Sequence, residues 1–114
     1  MNPSMTIRSI LNQHPDTLSA WEYENPMDIP YGLVFSVSST FNHPRWVKVT
    51  YDDAEEAYVV RTLDKKTGLE LEFGFIQESE LFEVLDQVIR EGRLKKIGGN
   101  KCVIIPFTTL KGTF

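Results

Sequence analysis

The chain has 114 residues, of which 41% are hydrophobic and 25% charged, and its 16 acidic against 12 basic side chains give a formal charge of −4. That apolar content excludes an intrinsically disordered chain, and the composition as a whole excludes collagen-like and disulfide-rich scaffolds. The length suits a single compact domain, 1–114, able to build a core without covalent staples. The one cysteine, Cys102, has no partner for an internal disulfide and no companions for a cysteine-rich metal site. The N-terminus shows no basic start followed by a long apolar run, and no segment approaches the roughly 20 apolar residues of a membrane span. A cytoplasmic protein that does not enter a membrane is therefore expected.

In chain order, Ile7, Ile10 and Leu11 stand at helical spacing within Met5 to Gln13. Pro3 and Ser4 suit the start of that helix, and Pro15 ends it, because proline lacks the N–H and disfavours helix in the residue before it. Asp16 is placed to cap a second short turn carrying Leu18 and Trp21. Asn25 to Tyr31, with Pro26 and Pro30, reads as irregular connection. The period then changes to alternation. Leu33, Phe35 and Val37 point one way and Ser36 and Ser38 the other. Val47, Val49 and Tyr51 alternate with Trp46, Lys48 and Thr50. Ala57 to Leu63 is a third strand, and in a fourth Leu69, Leu71, Phe73 and Phe75 alternate with Glu70, Glu72 and Gly74. Pairing Leu63 with Leu69 across the Asp64–Gly68 turn turns Val59 toward the core and Tyr58, Val60 and Thr62 outward; a shift of one residue reverses this. Gln77 to Glu91 returns to helical spacing on Leu81, Leu85 and Val88, flanked by Phe82, Val84 and Ile89, with Gly92 available to end the helix. Cys102 to Phe107 is a last short strand stopped by Pro106. The expected fold is α+β: an N-terminal helix, a four-stranded antiparallel meander, one helix packed on its apolar face, and a short final strand.

Each chemically suggestive cluster has a plain structural reading. His14-Pro15-Asp16 resembles the signature loop of J-domain cochaperones, yet the likeness covers three residues and precedes a β-rich body, so it reads as a helix stop followed by an Asp cap. His14 and His43 each precede a proline; a base or metal ligand would need partners converging in space, and no metal-binding spacing accompanies either. Asp52, Asp53, Glu55 and Glu56 lack the spacing of a calcium loop and read as a solvated hairpin turn. Glu70 and Glu72 share a strand face as paired hydrolytic acids would, and read as solvated outer-face residues. Cys102 begins an apolar strand and reads as a small, inert core residue.

The clearest asymmetry is electrostatic. Residues 90–114 carry a charge of +5 on a body, 1–89, of −9. Arg93, Lys95, Lys96 and Lys101, with Gly98 and Gly99 between them, form a basic segment that could meet phosphates. Trp46, and Tyr58 in one register, stand on the outer sheet face, where aromatics can serve a partner and where Leu18 and Trp21 of the N-terminal segment are expected to pack. No catalytic set and no cofactor motif emerges. The leading expectation is a small non-catalytic protein-binding or assembly module, acting through exposed sheet edges or as a homodimer, with Arg93, Lys95, Lys96, Lys101 and Trp46 as partner-binding residues. The alternatives are a nucleic-acid-associated protein using residues 90–101, and a small ligand-binding protein or enzyme with a site around His14 or His43.

Overall fold

A computed structural model describes residues 2–38, 44–91 and 103–106. Two helices, α1 (Pro3–Asn12) and α2 (Pro15–Trp21), precede five strands: β1 (Glu24–Ile29), β2 (Gly32–Val37), β3 (Arg45–Asp52), β4 (Ala57–Asp64) and β5 (Glu70–Ile76). A 3-10 turn, Glu78–Glu80, leads into α3 (Leu81–Glu91), and β6 (Val103–Pro106) follows. The fold is α+β. Strands β1 to β5 pair antiparallel in consecutive order, and β6 adds to β5, so the sheet runs β1-β2-β3-β4-β5-β6. Among the described residues no helix is long and apolar enough to cross a membrane.

The expected four-stranded meander therefore gains a strand at its start. Asn25 to Tyr31 is not irregular: it holds β1 and the turn into β2. Prolines hid it, because Pro26 breaks the donor row of a strand and is tolerated only where that strand lies at an edge or bulge. Here β1 is the first strand of the sheet, its register with β2 slips between Glu24 and Met27, and Asn25 takes a φ of 57°. A missing N–H and a bulge both blunt an edge. The expectation of a strand-accepting edge thus finds no support at β1.

The helices cover one face of the sheet. Asn2 caps α1 by accepting from the Met5 N–H, and Pro3 occupies the first turn, where its missing N–H is not needed. Ile7 and Leu11, one turn apart, are fully buried. The cap of α2 is His14 rather than Asp16, which sits in the first turn with its charge favourably near the helix N-terminus. Trp21 does not cover the outer face; it is fully buried on the inner one, stacked 6.4 Å from Phe35 and 5.6 Å from Phe82, and Leu18 packs beside the same core. Its Nε1–H donates to Asp86 Oδ1 of α3 at 3.0 Å, an oxygen that also accepts from Arg90 Nε at 2.8 Å. Leu81, Leu85 and Val88 face the sheet, as their spacing predicts, with Val84 and Ile89 buried beside them. Buried Arg45 at the start of β3 donates from Nη1 to the Val88 carbonyl at 3.1 Å, meeting an acceptor of the last turn of α3.

The register of β4 is the reverse of the sequence-based preference. Leu63 pairs with Glu70, not Leu69, because Asp64 already closes the hairpin: its N–H donates to the Leu69 carbonyl and its carbonyl accepts from Gly68, whose φ is 76°. Asp64 Oδ1 also accepts from the N–H groups of Lys66 and Thr67, so the aspartate shapes the loop. One residue of slip moves every side chain to the other face. Tyr58, Val60 and Thr62 are consequently buried, while Val59, Arg61 and Leu63 face outward.

Candidate functional site

The sheet face opposite the helices is built from cross-strand rows. One row runs Met27, Val34, Lys48, Arg61 and Glu72; a neighbouring row runs Ser36, Trp46, Leu63 and Glu70. Trp46 stands on this outer face, with Lys65 Nζ 4.2 Å from its ring centroid and donating to Ser36 Oγ at 2.6 Å. Glu72 accepts from Arg61 Nε at 2.7 Å. Glu70 is not the solvated acid expected: it is 1% exposed, and its Oε2 has no hydrogen-bond partner among the described residues.

At the β3–β4 turn end of this face lie two adjoining concavities. The larger, about 470 Å³ and open to solvent, is bounded by Pro30 and Tyr31 and floored by Lys48, Thr50, Val59, Arg61 and Glu72. The smaller, about 120 Å³, lies between the β3–β4 turn and β5. Asp52, Val59 and Glu72 line both, so they form one groove walled by Tyr31 at one side and Phe75 at the other.

Both walls are aromatic, solvent-facing and held on left-handed backbone. Tyr31 is 64% exposed with φ 64°, and Phe75 is 45% exposed with φ 58°. A bulky non-glycine residue in that region is a genuine outlier. The cause differs at each wall. Ile29 pairs with Gly32, leaving Pro30 and Tyr31 as the central residues of the turn. Proline cannot take positive φ, so the strain of a type II arrangement falls on Tyr31, where glycine or asparagine is usual. The turn is pinned by the Tyr51 N–H, which donates to the Tyr31 carbonyl at 2.9 Å. Gly32 is required next to it, since a Cβ there would stand 2.0 Å from the Val49 carbonyl oxygen.

Phe75 is re-aimed by a bulge. Between the pairs Tyr58–Ile76 and Val60–Phe73, β5 has one residue more than β4. Phe73 and Ile76 therefore both reach the core, and Phe75, expected from alternation to share the core face, swings outward. Gly74, an interruption inside the strand, is the sequence signal that could have pointed to this.

Acids gather at the turn end. Asp52, Asp53, Glu55 and Glu56 are exposed, as a solvated hairpin should be, and Asp52 Oδ1 accepts from the Ala54 and Glu55 N–H groups. Behind them Tyr51 and Tyr58 meet edge to face, 5.1 Å apart, and the Tyr58 hydroxyl donates to Glu78 Oε1 at 3.4 Å. Burial, reinforced by Glu78, pushes Tyr58 up to about 12. Tyr58 is thus a core residue and not a candidate for the outer face.

Of the other predicted site residues, only His14 is described, and it lies on the helical side of the sheet against Phe82. Arg93, Lys95, Lys96, Lys101, His43 and Cys102 lie outside the described residues, as does Gly92. His14 is half-buried and stacks on Phe82 at 3.6 Å, without a side-chain cap bond to α2. No group of three or more metal-ligating side chains occurs among the described residues. Comparison of the chain with protein-family models, with curated proteins and with solved structures finds no match.

Proposed function

We propose that the chain is a non-catalytic protein-binding module, and that its partner docks in the groove between Tyr31 and Phe75. The observation that carries this reading is the pair of exposed aromatics kept on strained backbone. An αL residue other than glycine costs of order 1–3 kcal/mol, and such strain concentrates at ligand clamps and switch regions. Tyr31 returns little of that to the fold, since most of it lies in water, and Phe75 leaves nearly half of its surface exposed. Aromatic side chains are the anchors that protein interfaces favour, and a partner seated between these two would desolvate them. The charges at the turn end suit a protein better than a phosphate backbone, because the exposed Asp52, Asp53, Glu55 and Glu56 would repel phosphates.

A random-peptide library displayed against the immobilised protein tests the reading. Enriched peptides are expected to lose binding to Tyr31→Gly and to Phe75→Asn, substitutions that remove a ring while suiting left-handed backbone. Enriched peptides that bind both variants as well as the native chain would place the interface elsewhere. Binding of nucleic acid duplex at physiological salt, lost when Lys95, Lys96 and Lys101 are changed to Glu, would favour the nucleic-acid alternative instead.

A further inference from the structure

The smaller end of the groove is specific enough to say what enters it. Its volume, about 120 Å³, is well below the roughly 300–1,000 Å³ of pockets that enclose a small-molecule ligand. It is the size of one long side chain. Its floor and wall are apolar: Ala57, Val59 and the Phe75 ring. Its rim is acidic: Asp52 and Glu55 from the turn, with Glu72 of β5, ion-paired to Arg61, beside them. Asp52 is held in place by the two backbone N–H groups it accepts, so a carboxylate is already positioned at the mouth. Among the described residues no basic side chain lines this pocket, whereas Lys48 and Arg61 belong to the larger concavity beside it.

An apolar shaft with an aromatic wall and a carboxylate rim complements one kind of side chain. Lysine and arginine lay a methylene stem along apolar surface and keep the charged head among acids or water. A cation near an aromatic face gains further attraction. We propose that this pocket receives a lysine or arginine side chain of the partner protein, whose adjoining residues lie across the larger concavity. The proposal rests on the reading of the groove as a docking site and names the chemistry of its anchor. Asp53, Glu56 and Glu78 extend the negative field behind the rim, so a basic partner is steered toward this end of the sheet.

The test uses the whole chain, isotopically labelled, and two blocked tripeptides, Ala-Lys-Ala and Ala-norleucine-Ala, which differ only in the ammonium group. The lysine peptide should shift the amide resonances of Glu55, Val59, Gly74 and Phe75 at millimolar concentration. The norleucine peptide should bind about tenfold more weakly, the contribution of a charge-assisted contact. Gly74→Leu should abolish the effect by filling the pocket. Gly74 lines it, and a Cβ there meets nothing within 4 Å among the described residues; unchanged amide resonances of Leu33, Val49 and Val60 in the variant show that its fold is intact. Glu55→Gln, on the exposed turn, should weaken lysine binding while leaving the native spectrum elsewhere. Equal binding of the two peptides would overturn the cationic anchor and leave the groove reading standing. Shifts scattered over the acidic surface, or unchanged in Gly74→Leu, would overturn the pocket itself.

Discussion

Tyr58 shows how one side chain reports the logic of its surroundings. It is buried on the inner face, edge to face with Tyr51, and its hydroxyl leans on Glu78. Burial first and the Glu78 carboxylate second both oppose a phenolate there, which places its folded pKa at about 12 against an ordinary value of 10.0. A raised folded pKa means that the unfolded chain releases the proton first, so its contribution is complete below pH 10 and is lost as pH rises toward 12. Urea midpoints measured across that window should fall more steeply for the native chain than for Tyr58→Phe, which has no proton to lose. Parallel declines in the two proteins would mean that Tyr58 is not the group responsible. Burial of this tyrosine was legible only as one of two alternatives, because strand alternation defines two faces without saying which is inward. The choice was made by Asp64, whose hydrogen bonds to Leu69 and Gly68 close the hairpin one residue earlier than the spacing of leucines suggests.

Among the elements, α3 was the easiest to read and β1 and β5 the hardest. Leu81, Leu85 and Val88 repeat at helical spacing and pack on the sheet without exception. Replacing Leu85 with Ala should cost about 2–5 kcal/mol in denaturant unfolding, the range for a large-to-small change in a closed core. A loss under about 0.5 kcal/mol, the scale of a surface substitution, would show that the helix does not seal the sheet. In β5 the period-two pattern of Leu69, Leu71, Phe73 and Phe75 is interrupted by a bulge that alternation alone cannot register. The same device that hides Phe75 from the sequence delivers it to the groove, which is where bulges commonly act. β1 escaped because its prolines and its short turn resemble a loop, although they are the features by which an edge strand protects itself. The larger part of the inner core was therefore legible. The groove was not, since each of its aromatic walls depends on a local departure from regular geometry.

At the scale of the molecule, the sheet has two unlike faces. One carries three helices and a continuous core from Ile7 to Ile89. The other mixes Trp46, Val59, Leu63 and Val34 with the Lys48–Arg61–Glu72 row, and it ends in an acidic turn. The excess of acids in residues 1–89, visible in the sequence as a charge of −9, is thus concentrated in part where the groove opens. If Tyr31 serves a partner and not the fold, removing its ring should leave the chain as stable as before. Equilibrium unfolding of Tyr31→Gly in urea tests it most directly. Relief of left-handed strain, about 1–2 kcal/mol, stands against about 0.5–1 kcal/mol of added chain entropy and the small area that a 64%-exposed ring buries. The variant should therefore equal the native chain in stability or exceed it by up to about 1 kcal/mol. A loss of more than about 1 kcal/mol would show that the ring holds the fold together, and would contradict its assignment to a partner.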